Sequence, residues 1–392
     1  MPQFRDKIIF IAFTLLIYLP ASTLGNLIRL AVLAAAFLFL PADNKNPDAR
    51  SVFSVAVCML FSPLLSGAIV YLIEPLFDFS LFAHEIMRMV FCSFLMITVS
   101  RLNVDFRTVY ICAIIALVPN FIIQFLQFRG NALVYLFIQN NYVIGEKESV
   151  HLLLSMAEGS DFRGGSIFIN PNVYMVIPLI CLCVFLQMDQ QRKSLFNNIL
   201  IVVAVVSCVF TGSRTATVVA MFIMAVYYLK YASGQSIVMF LLVAMAVVVF
   251  YGVQFLTESR AMSLGADSMG SLGVKTHSYW WFWQATSEMP LYWLTGTIGS
   301  SVPVGMDSEW GHIYAWYGVF GIAWYIGYYR VLFRHCGRFS RFFRMTAAVC
   351  ALVSFTASVM QCMPIFSFVA AVILSQLTVN REKKTETEVQ PV

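Results

Sequence analysis

The segment TGSRTAT, residues 211–217, places a charged residue between two strongly apolar stretches of the chain. Ser213 is a residue type that caps helix N-termini, so the sequence predicts a helix with Arg214 in its first turn. An arginine that faces lipid there costs at least about 2.5 kcal/mol. A guanidinium beside the free N–H groups of a helix start is well suited to bind phosphate oxygens. The alternative interpretation is that Arg214 reaches outward to lipid headgroups.

A second helix start with unusual chemistry lies in DFRGGSIFINPNVYM, residues 161–175. Asn170 is a good cap, Pro171 suits the first helical position, and Asn172 adds a polar group to the first turn. Capping accounts for Asn170 and Pro171. It does not account for Arg163, which stands beside two glycines just before the helix. Arg163 and Asn172 are therefore candidate site residues.

A third helix start lies in GMDSEWGHIYAWYGVFG, residues 305–321. Either Asp307 or Ser308 can cap this helix, and Glu309 in the first turn favours the helix dipole. Capping leaves His312, one turn into the helix, unexplained. Carboxylates and histidines are the side chains that most often act as general acids and bases, so this start is a candidate for proton transfer.

Sequence motifs of several other chemistries are absent. The chain lacks the HExxH pattern of zinc hydrolases, the GxxxxGK phosphate loop and the GxSxG nucleophile turn. It therefore gives no support to a nucleotide-driven pump or a serine hydrolase, and it predicts no metal and no cofactor. Its basic residues are scattered among apolar runs, which argues against nucleic acid as a partner.

The elements that must position these groups are membrane helices. The chain has 392 residues, of which 60% are hydrophobic and 11% charged, whereas soluble domains are about 25% charged. This predicts an all-α polytopic membrane protein, with residues 1–380 as a single transmembrane domain and residues 381–392 as a cytoplasmic tail. About twelve transmembrane helices are expected, at residues 8–22, 24–41, 51–73, 84–100, 107–127, 171–188, 197–212, 214–231, 236–253, 311–332, 345–361 and 363–379.

Lysine and arginine orient these predicted helices. A cytoplasmic N-terminus places most of the basic residues in cytoplasmic loops, as the positive-inside rule requires. Both termini are then cytoplasmic. Two long loops, at about residues 128–170 and 254–310, lie on the outer side, where we expect the functional residues.

The second long loop is unusually aromatic, since all seven tryptophans fall between Trp280 and Trp324. The segment HSYWWFWQATSEMPLYWLTG is too interrupted for a spanning helix, and we interpret it as an amphipathic segment in the outer membrane interface. Its rings form either an interfacial belt or a surface for sugar rings or a lipid tail. Arg260, Lys275 and His277 precede it in the same loop.

Taken together, these segments resemble the bacterial superfamily of O-antigen polymerases and O-antigen ligases, which also includes capsule and exopolysaccharide polymerases. The resemblance rests on FRGGSIFINPNVY, TGSRTATVVAMF and the loop from EMPLYWLTGTIGSS to DSEWGHIYAWYGVFG, in that order. It implies a GT-C-like fold and an inverting, metal-independent glycosyl transfer at the periplasmic face of the bacterial inner membrane. The implied donor is an oligosaccharide on undecaprenyl pyrophosphate. Membrane lipid, a chain-length regulator and a flippase are the further partners that the resemblance suggests.

Candidate roles follow for the residues already singled out. The donor pyrophosphate would be bound by Arg214, Arg163 and Arg260. The candidate general bases are Asp307, Glu309 and His277. The secondary site residues are Asn172, Lys275 and His312. No metal ligand is expected.

The acceptor separates the two branches of the superfamily. In the ligase pattern a histidine stands eleven residues before the first glycine of YGVFG, and the corresponding position before Gly318 is Asp307. This favours the polymerase branch, whose acceptor is another lipid-linked repeat unit. The alternative is a ligase, whose acceptor is a lipid A core. An alternative of another class is a small-anion transporter, in which polar side chains would converge at mid-membrane instead of at the outer face.

Overall fold

The computed structural model of the chain describes residues 2–20, 22–40, 49–142, 164–168, 170–231, 271–300, 308–336, 343–355, 359–360 and 362–378. The first helices are α1 Pro2–Leu15, α2 Thr23–Phe39, α3 Ala49–Ile73, α4 Phe79–Val99, α5 Phe106–Phe128, α6 Ala132–Tyr142, α7 Pro171–Tyr174 and α8 Val176–Gln191. The later helices are α9 Leu195–Phe210, α10 Arg214–Tyr231, α11 Ser271–Glu288, α12 Tyr292–Thr295, α13 Glu309–Cys336, α14 Phe343–Val353 and α15 Met363–Leu374. Two short strands, β1 Asn103–Asp105 and β2 Gln376–Thr378, follow α4 and α15.

The helices identify an all-α membrane protein. Within the described residues, four helical runs are long and apolar enough to cross a membrane, namely α3, α4, α5 and the run α7–α8. Shorter apolar helices include α9 and α15. Leu64, Leu65 and Leu72 on α3 are exposed, and such a surface suits contact with lipid instead of water.

A two-stranded parallel sheet closes one end of the helix bundle, which we call the sheet end. Asn103 of β1 pairs with Gln376 of β2, so the segment after α4 is joined to the segment after α15. The start of α1 lies at the same end. Asp6 accepts the N–H of Asn103 at 3.1 Å, and Lys7 Nζ lies 3.2 Å from the Asp105 carboxylate.

The opposite end of the bundle, which we call the loop end, contains the turns between the paired helices. The turn from α3 to α4 is fixed there, because the N–H of Asp78 donates to the Gly299 carbonyl at 2.8 Å and the hydroxyl of Tyr292 donates to Glu74. The ends of α5 and α9 and the starts of α7, α10 and α13 also lie at this end. Each predicted outward-facing helix start is therefore placed at the loop end.

Two helices form the interior of the bundle. Every residue of α8 from Val176 to Leu186 is buried, and so is every residue of α15 from Pro364 to Leu374. A helix that is apolar on all sides is stable only when other elements surround it. For α8 these are α5, α9 and α14. Because α8 is surrounded by these helices, the residues that lead into it at the loop end also lie in the protein interior.

Several helix boundaries differ from the predicted ones for identifiable reasons. The helix predicted at 84–100 begins earlier, at Phe79, because the carboxylate of Asp78 accepts the N–H of Leu81 at 2.9 Å and caps it. The helix predicted at 345–361 ends at Val353, since the next carbonyl, that of Ser354, accepts an N–H from α13. The helix predicted at 363–379 ends at Leu374 and continues as β2.

The two long predicted loops are more ordered than expected. The loop at about 128–170 contains α6, and the loop at about 254–310 contains α11 and α12. The aromatic segment predicted to lie in the interface is helical over α11. Phe282 of α11 packs on Tyr314 and Ala315 of α13. The predicted helix at 236–253 lies outside the described residues.

Candidate functional site

The turn between α9 and α10 has the predicted capped geometry. Arg214 is the first residue of α10, and the hydroxyl of Ser213 accepts the N–H of Ala216 at 3.5 Å. The N–H of Ser213 is itself bound by the hydroxyl of Thr211 at 3.1 Å. Gly212 supplies the positive φ of 62° that the turn requires. The side chain of Arg214 lies outside the described part of the structure.

A short segment, Gly164–Phe168, is held against this turn by side chains of α5. The side-chain amide of Gln127 donates to the carbonyl of Ser166 at 3.1 Å and accepts its N–H at 3.1 Å. Ser166 has a φ of 54°, which is unusual for a residue other than glycine. The two bonds from Gln127 offset part of the cost of that conformation.

The sequence of α5 explains how it holds the segment. Asn120, Gln124 and Gln127 are spaced four and three residues apart, so they share one face of the helix. All three are buried. The Ser166 hydroxyl donates to Asn120 at 2.7 Å, and the Ser207 hydroxyl of α9 donates to Gln124 at 2.7 Å. Amide side chains can satisfy several backbone groups at once, which suits a polar segment that enters the interior.

This arrangement brings the segment FRGGSIFINPNVY next to the turn that opens TGSRTATVVAMF. The N–H of Gly164 donates to the carbonyl of Phe210 at 2.9 Å, and the Gly164 carbonyl accepts from Gln124 at 2.8 Å. Phe210 is the last residue of α9, four residues before Arg214 in the chain. Arg163 directly precedes Gly164 in the sequence and lies outside the described residues.

The hydrogen bonds at the start of α13 show which residue caps this helix. The hydroxyl of Ser308 accepts the N–H of Gly311 at 2.9 Å, and its carbonyl accepts the N–H of His312 at 2.8 Å. Ser308 is therefore the cap. Asp307, which lies outside the described residues, is not needed for capping.

Glu309 fastens the start of α13 to the neighbouring helices. Its side chain is buried and accepts the N–H of Met360 at 2.7 Å, with a further bond from the Tyr325 hydroxyl. Its own N–H donates to the Ser354 carbonyl at 2.8 Å. The carboxylate thus holds the turn between α14 and α15. The interaction of Glu309 with the helix dipole stays a prediction, and the structure adds this packing role.

His312 belongs to a buried charged cluster that the sequence analysis did not foresee. Arg88 of α4 forms an ion pair with Glu85, and its Nη2 lies 3.2 Å from His312 Nε2 and 3.4 Å from the Tyr317 hydroxyl. All four side chains are buried. A guanidinium can only donate, so Nε2 of His312 accepts and the imidazole proton is on Nδ1. The available signal was two charges three residues apart inside an apolar segment.

α13 is broken directly after Tyr317 of this cluster. Gly318 has a φ of 59° and a ψ of −147°, which interrupts the helix. The carbonyl of Ala315 then accepts the N–H of Thr297 at 2.8 Å, and that of Trp316 accepts the N–H of Ile298 at 3.3 Å. Non-helical backbone inside a membrane protein is tolerated where other protein segments cover it. The break divides α13 into a short first part, which carries Glu309 and His312, and a longer part that follows Gly318.

The aromatic helix α11 packs beside these turns. Trp283 contacts Trp293 of the following turn with ring centroids 5.2 Å apart, while Trp280 and Trp283 are 55% and 60% exposed. Lys275 and His277 lie within α11, and their side chains are outside the described part. The exposed rings agree with either predicted role, an interfacial belt or a ligand surface.

The remaining predicted residues are placed as follows. The side chain of Asn172 is half-buried, and its N–H donates to the cap Asn170 at 3.0 Å, so the predicted cap is confirmed. Arg260 lies outside the described residues. Within the described part of the chain, no three His, Cys, Asp or Glu side chains are grouped so as to hold a metal ion.

The site therefore consists of two polar regions, the α9–α10 turn with Gly164–Phe168 and the start of α13 with Glu85 and Arg88. The α9–α10 turn and the start of α13 lie at the loop end, whereas Arg88 lies about 13 Å along α4 from that end. The likeness to O-antigen polymerases rests on the quoted segments alone. No protein-family model matches this sequence, and no curated protein is significantly similar to it.

Proposed function

We propose that this chain is an inverting glycosyltransferase that joins lipid-linked oligosaccharide repeat units into O-antigen or a related surface polysaccharide. The observation that carries the proposal is that the starts of α7, α10 and α13, where candidate site residues stand, all lie at the loop end. A transporter for a small anion would instead gather its polar groups near the middle of the spanning helices. The resemblance of the three quoted segments to polysaccharide polymerases supports the same reaction.

Charge assigns the two ends of the bundle to the two sides of the membrane. Basic side chains next to the described helices at the sheet end include Arg5, Lys7, Arg101, Arg107 and Arg192. By the positive-inside rule this end is cytoplasmic, together with both termini. The loop end then faces the periplasm of a bacterial inner membrane. Twelve spans in a GT-C-like arrangement are part of this proposal.

The donor is bound through its pyrophosphate at the start of α10. The helix terminus provides free N–H groups and partial positive charge, and Arg214 adds a guanidinium. Arg163 and Arg260 complete the anion pocket from the two long loops. During transfer the bond between the anomeric carbon and pyrophosphate oxygen breaks, and these cations stabilise the charge that develops on the undecaprenyl pyrophosphate.

The acceptor hydroxyl attacks the anomeric carbon, and a base takes its proton. Asp307 is our first choice, because Ser308 caps α13 and the preceding carboxylate is not needed for that role. Glu309 and His277 follow in that order, since the Glu309 carboxylate is already bound to Met360. No metal or cofactor takes part. A flippase supplies the substrate, and a chain-length regulator is a further partner.

Deletion of the gene, followed by gel analysis of the surface glycan, tests the proposal. A polymerase deletion leaves a single repeat unit on the lipid A core, and the wild-type gene restores the ladder. A bare core with lipid-linked polymer would identify a ligase instead. An unchanged glycan would contradict both and favour transport.

A further inference from the structure

Arg88 is a buried guanidinium whose contacts in the described structure all pass through one nitrogen. Nη2 contacts Glu85, His312 at 3.2 Å and the Tyr317 hydroxyl at 3.4 Å. It carries two N–H bonds and cannot donate to three acceptors at once. Nε of Arg88 is buried and has no hydrogen-bond partner in the described part of the chain. Arg88 therefore has donor capacity left for another group.

Within the described residues, further buried polar atoms on the neighbouring helices have no hydrogen-bond partner. These include Ser62 Oγ on α3 and the ring nitrogen of Trp324 on α13. The Trp324 ring lies 6.4 Å from that of Tyr317, and Ser62 stands one turn before Ser66, whose hydroxyl lies 3.5 Å from the Tyr317 carbonyl. Buried polar atoms in folded proteins nearly always have partners. Together with Nε of Arg88, these atoms on the helices beside Tyr317 offer donors and acceptors to a hydrogen-bonding ligand.

The charges of the cluster select the kind of ligand. Glu85 forms an ion pair with Arg88, and His312 accepts a hydrogen bond from the same guanidinium. The guanidinium is therefore already matched by one carboxylate, and the pair offers no net positive charge to a pyrophosphate. A sugar hydroxyl can accept from the guanidinium and donate to a carboxylate, so a neutral polyhydroxylated ligand satisfies both.

We propose that the cluster of Glu85, Arg88, His312 and Tyr317 binds neutral sugar hydroxyl groups of the acceptor chain. This inference rests on the proposed function. It places the donor pyrophosphate at the start of α10 and the acceptor sugar between α4 and α13. His312 lies about 5 Å along α13 from its start, and Arg88 about 13 Å along α4.

Calorimetric titration of the full chain in lipid nanodiscs tests the inference with two probes. One probe is the repeat-unit oligosaccharide of the host glycan, freed of pyrophosphate by mild acid, and the other is inorganic pyrophosphate. We expect Arg88→Lys to weaken oligosaccharide binding by roughly tenfold, as the loss of a hydrogen bond to a charged group does. Tyr317→Phe, which removes one hydroxyl, should weaken it by a smaller factor. Pyrophosphate affinity should stay unchanged in both.

Ser93→Ala is the matched control. Ser93 is a buried polar residue on α4 whose hydroxyl donates to the Ala56 carbonyl at 3.0 Å, away from the cluster, so this variant should bind oligosaccharide like the wild type. The inference is overturned if all variants bind the oligosaccharide with equal affinity. It is also overturned if a variant loses affinity for the oligosaccharide and for pyrophosphate alike. Should Arg88→Lys fail to fold, Tyr317→Phe decides. A wild-type protein that binds no oligosaccharide also overturns the inference. The proposed function is tested separately, by the surface glycan of the deletion strain.

Discussion

Gly296 and Gly318 pack backbone against backbone at the break in α13. A Cβ atom on Gly318 would lie 2.3 Å from the Leu294 carbonyl oxygen, and one on Gly296 would lie 2.2 Å from the carbonyl carbon of Trp316. Both glycines have positive φ, 72° at Gly296 and 59° at Gly318. The contact admits no side chain on either partner.

Gly318→Ala should lower the thermal unfolding midpoint. The backbone region that Gly318 occupies is nearly exclusive to glycine, and strain of this kind alone costs roughly 1–3 kcal/mol. Gly327→Ala is the control on the same helix, since its Cβ would make an ordinary contact 3.4 Å from Val55. It should unfold at or above the wild-type midpoint. Equal midpoints for the two variants in detergent would contradict the assignment.

Arg214→Lys should abolish most of the polymer at normal protein level. Lysine keeps the positive charge but loses the planar fork that binds two phosphate oxygens. The measurement is the glycan ladder on a gel beside a blot of the membrane fraction. Arg192→Lys, at an exposed position between α8 and α9, should leave the ladder intact. A full ladder in the Arg214→Lys strain would remove Arg214 from the donor site.

Asp307→Asn should abolish polymer while single-unit glycan still reaches the surface, and chelators should have no effect. Glu309→Gln should retain polymer, because its amide oxygen can still accept the Met360 N–H that the carboxylate binds. The reverse pattern would make Glu309 the base. If Asp307→Asn polymerises normally and His277→Ala does not, a histidine in the outer loop carries the step.

Gln127→Ala should loosen the segment Gly164–Phe168. The change leaves the N–H and carbonyl of Ser166 without their side-chain partner, which costs about 1–3 kcal/mol for a buried group. Hydrogen exchange of this segment should rise. Asn141→Ala, at an exposed position on α6, should leave it unchanged, because the Asn141 side chain donates to the Phe137 carbonyl of its own helix. Unaltered exchange in Gln127→Ala would show that other contacts hold the segment.

Asp105 makes the sheet end sensitive to acid. Partial burial raises the pKa of its carboxyl group, but hydrogen bonds from Thr108 and Lys7 outweigh burial and hold the pKa below its usual value. The ionised form therefore contributes stability above the ordinary aspartate pKa of about 3.9, and that contribution is lost as the pH falls through the lower folded pKa. Below about pH 4 the unfolding midpoint should fall more steeply for the wild type than for Asp105→Asn. Parallel curves would contradict this.

Local sequence rules predicted the helix starts that carry the site. Asn170, Ser213 and Ser308 each cap a helix as their residue types and positions indicate. Hydropathy likewise predicted the membrane class and the approximate position of most helices. These features depend on neighbours within a few residues, and a single sequence contains that information.

Features set by distant contacts could not be predicted in the same way. The end of α14 at Val353 depends on the start of α13, and the break at Gly318 depends on Gly296 in another segment. Glu85 and Arg88 were visible as charges in an apolar helix, but their partner His312 is 224 residues away from Arg88. Only the packing of the helices shows that these side chains meet.

The pairing of β1 with β2 imposes an order of assembly on the protein. Residues 103–105 emerge early in synthesis, but their partners at 376–378 emerge only after every described helix has been made. Parallel strands with so large a separation are slow to pair, because the intervening chain must first be arranged. The sheet therefore closes last, and until then the edge of β1 is available for chaperones or for incorrect pairing. A ribosome that stalls before residue 376 would release a bundle without this closure.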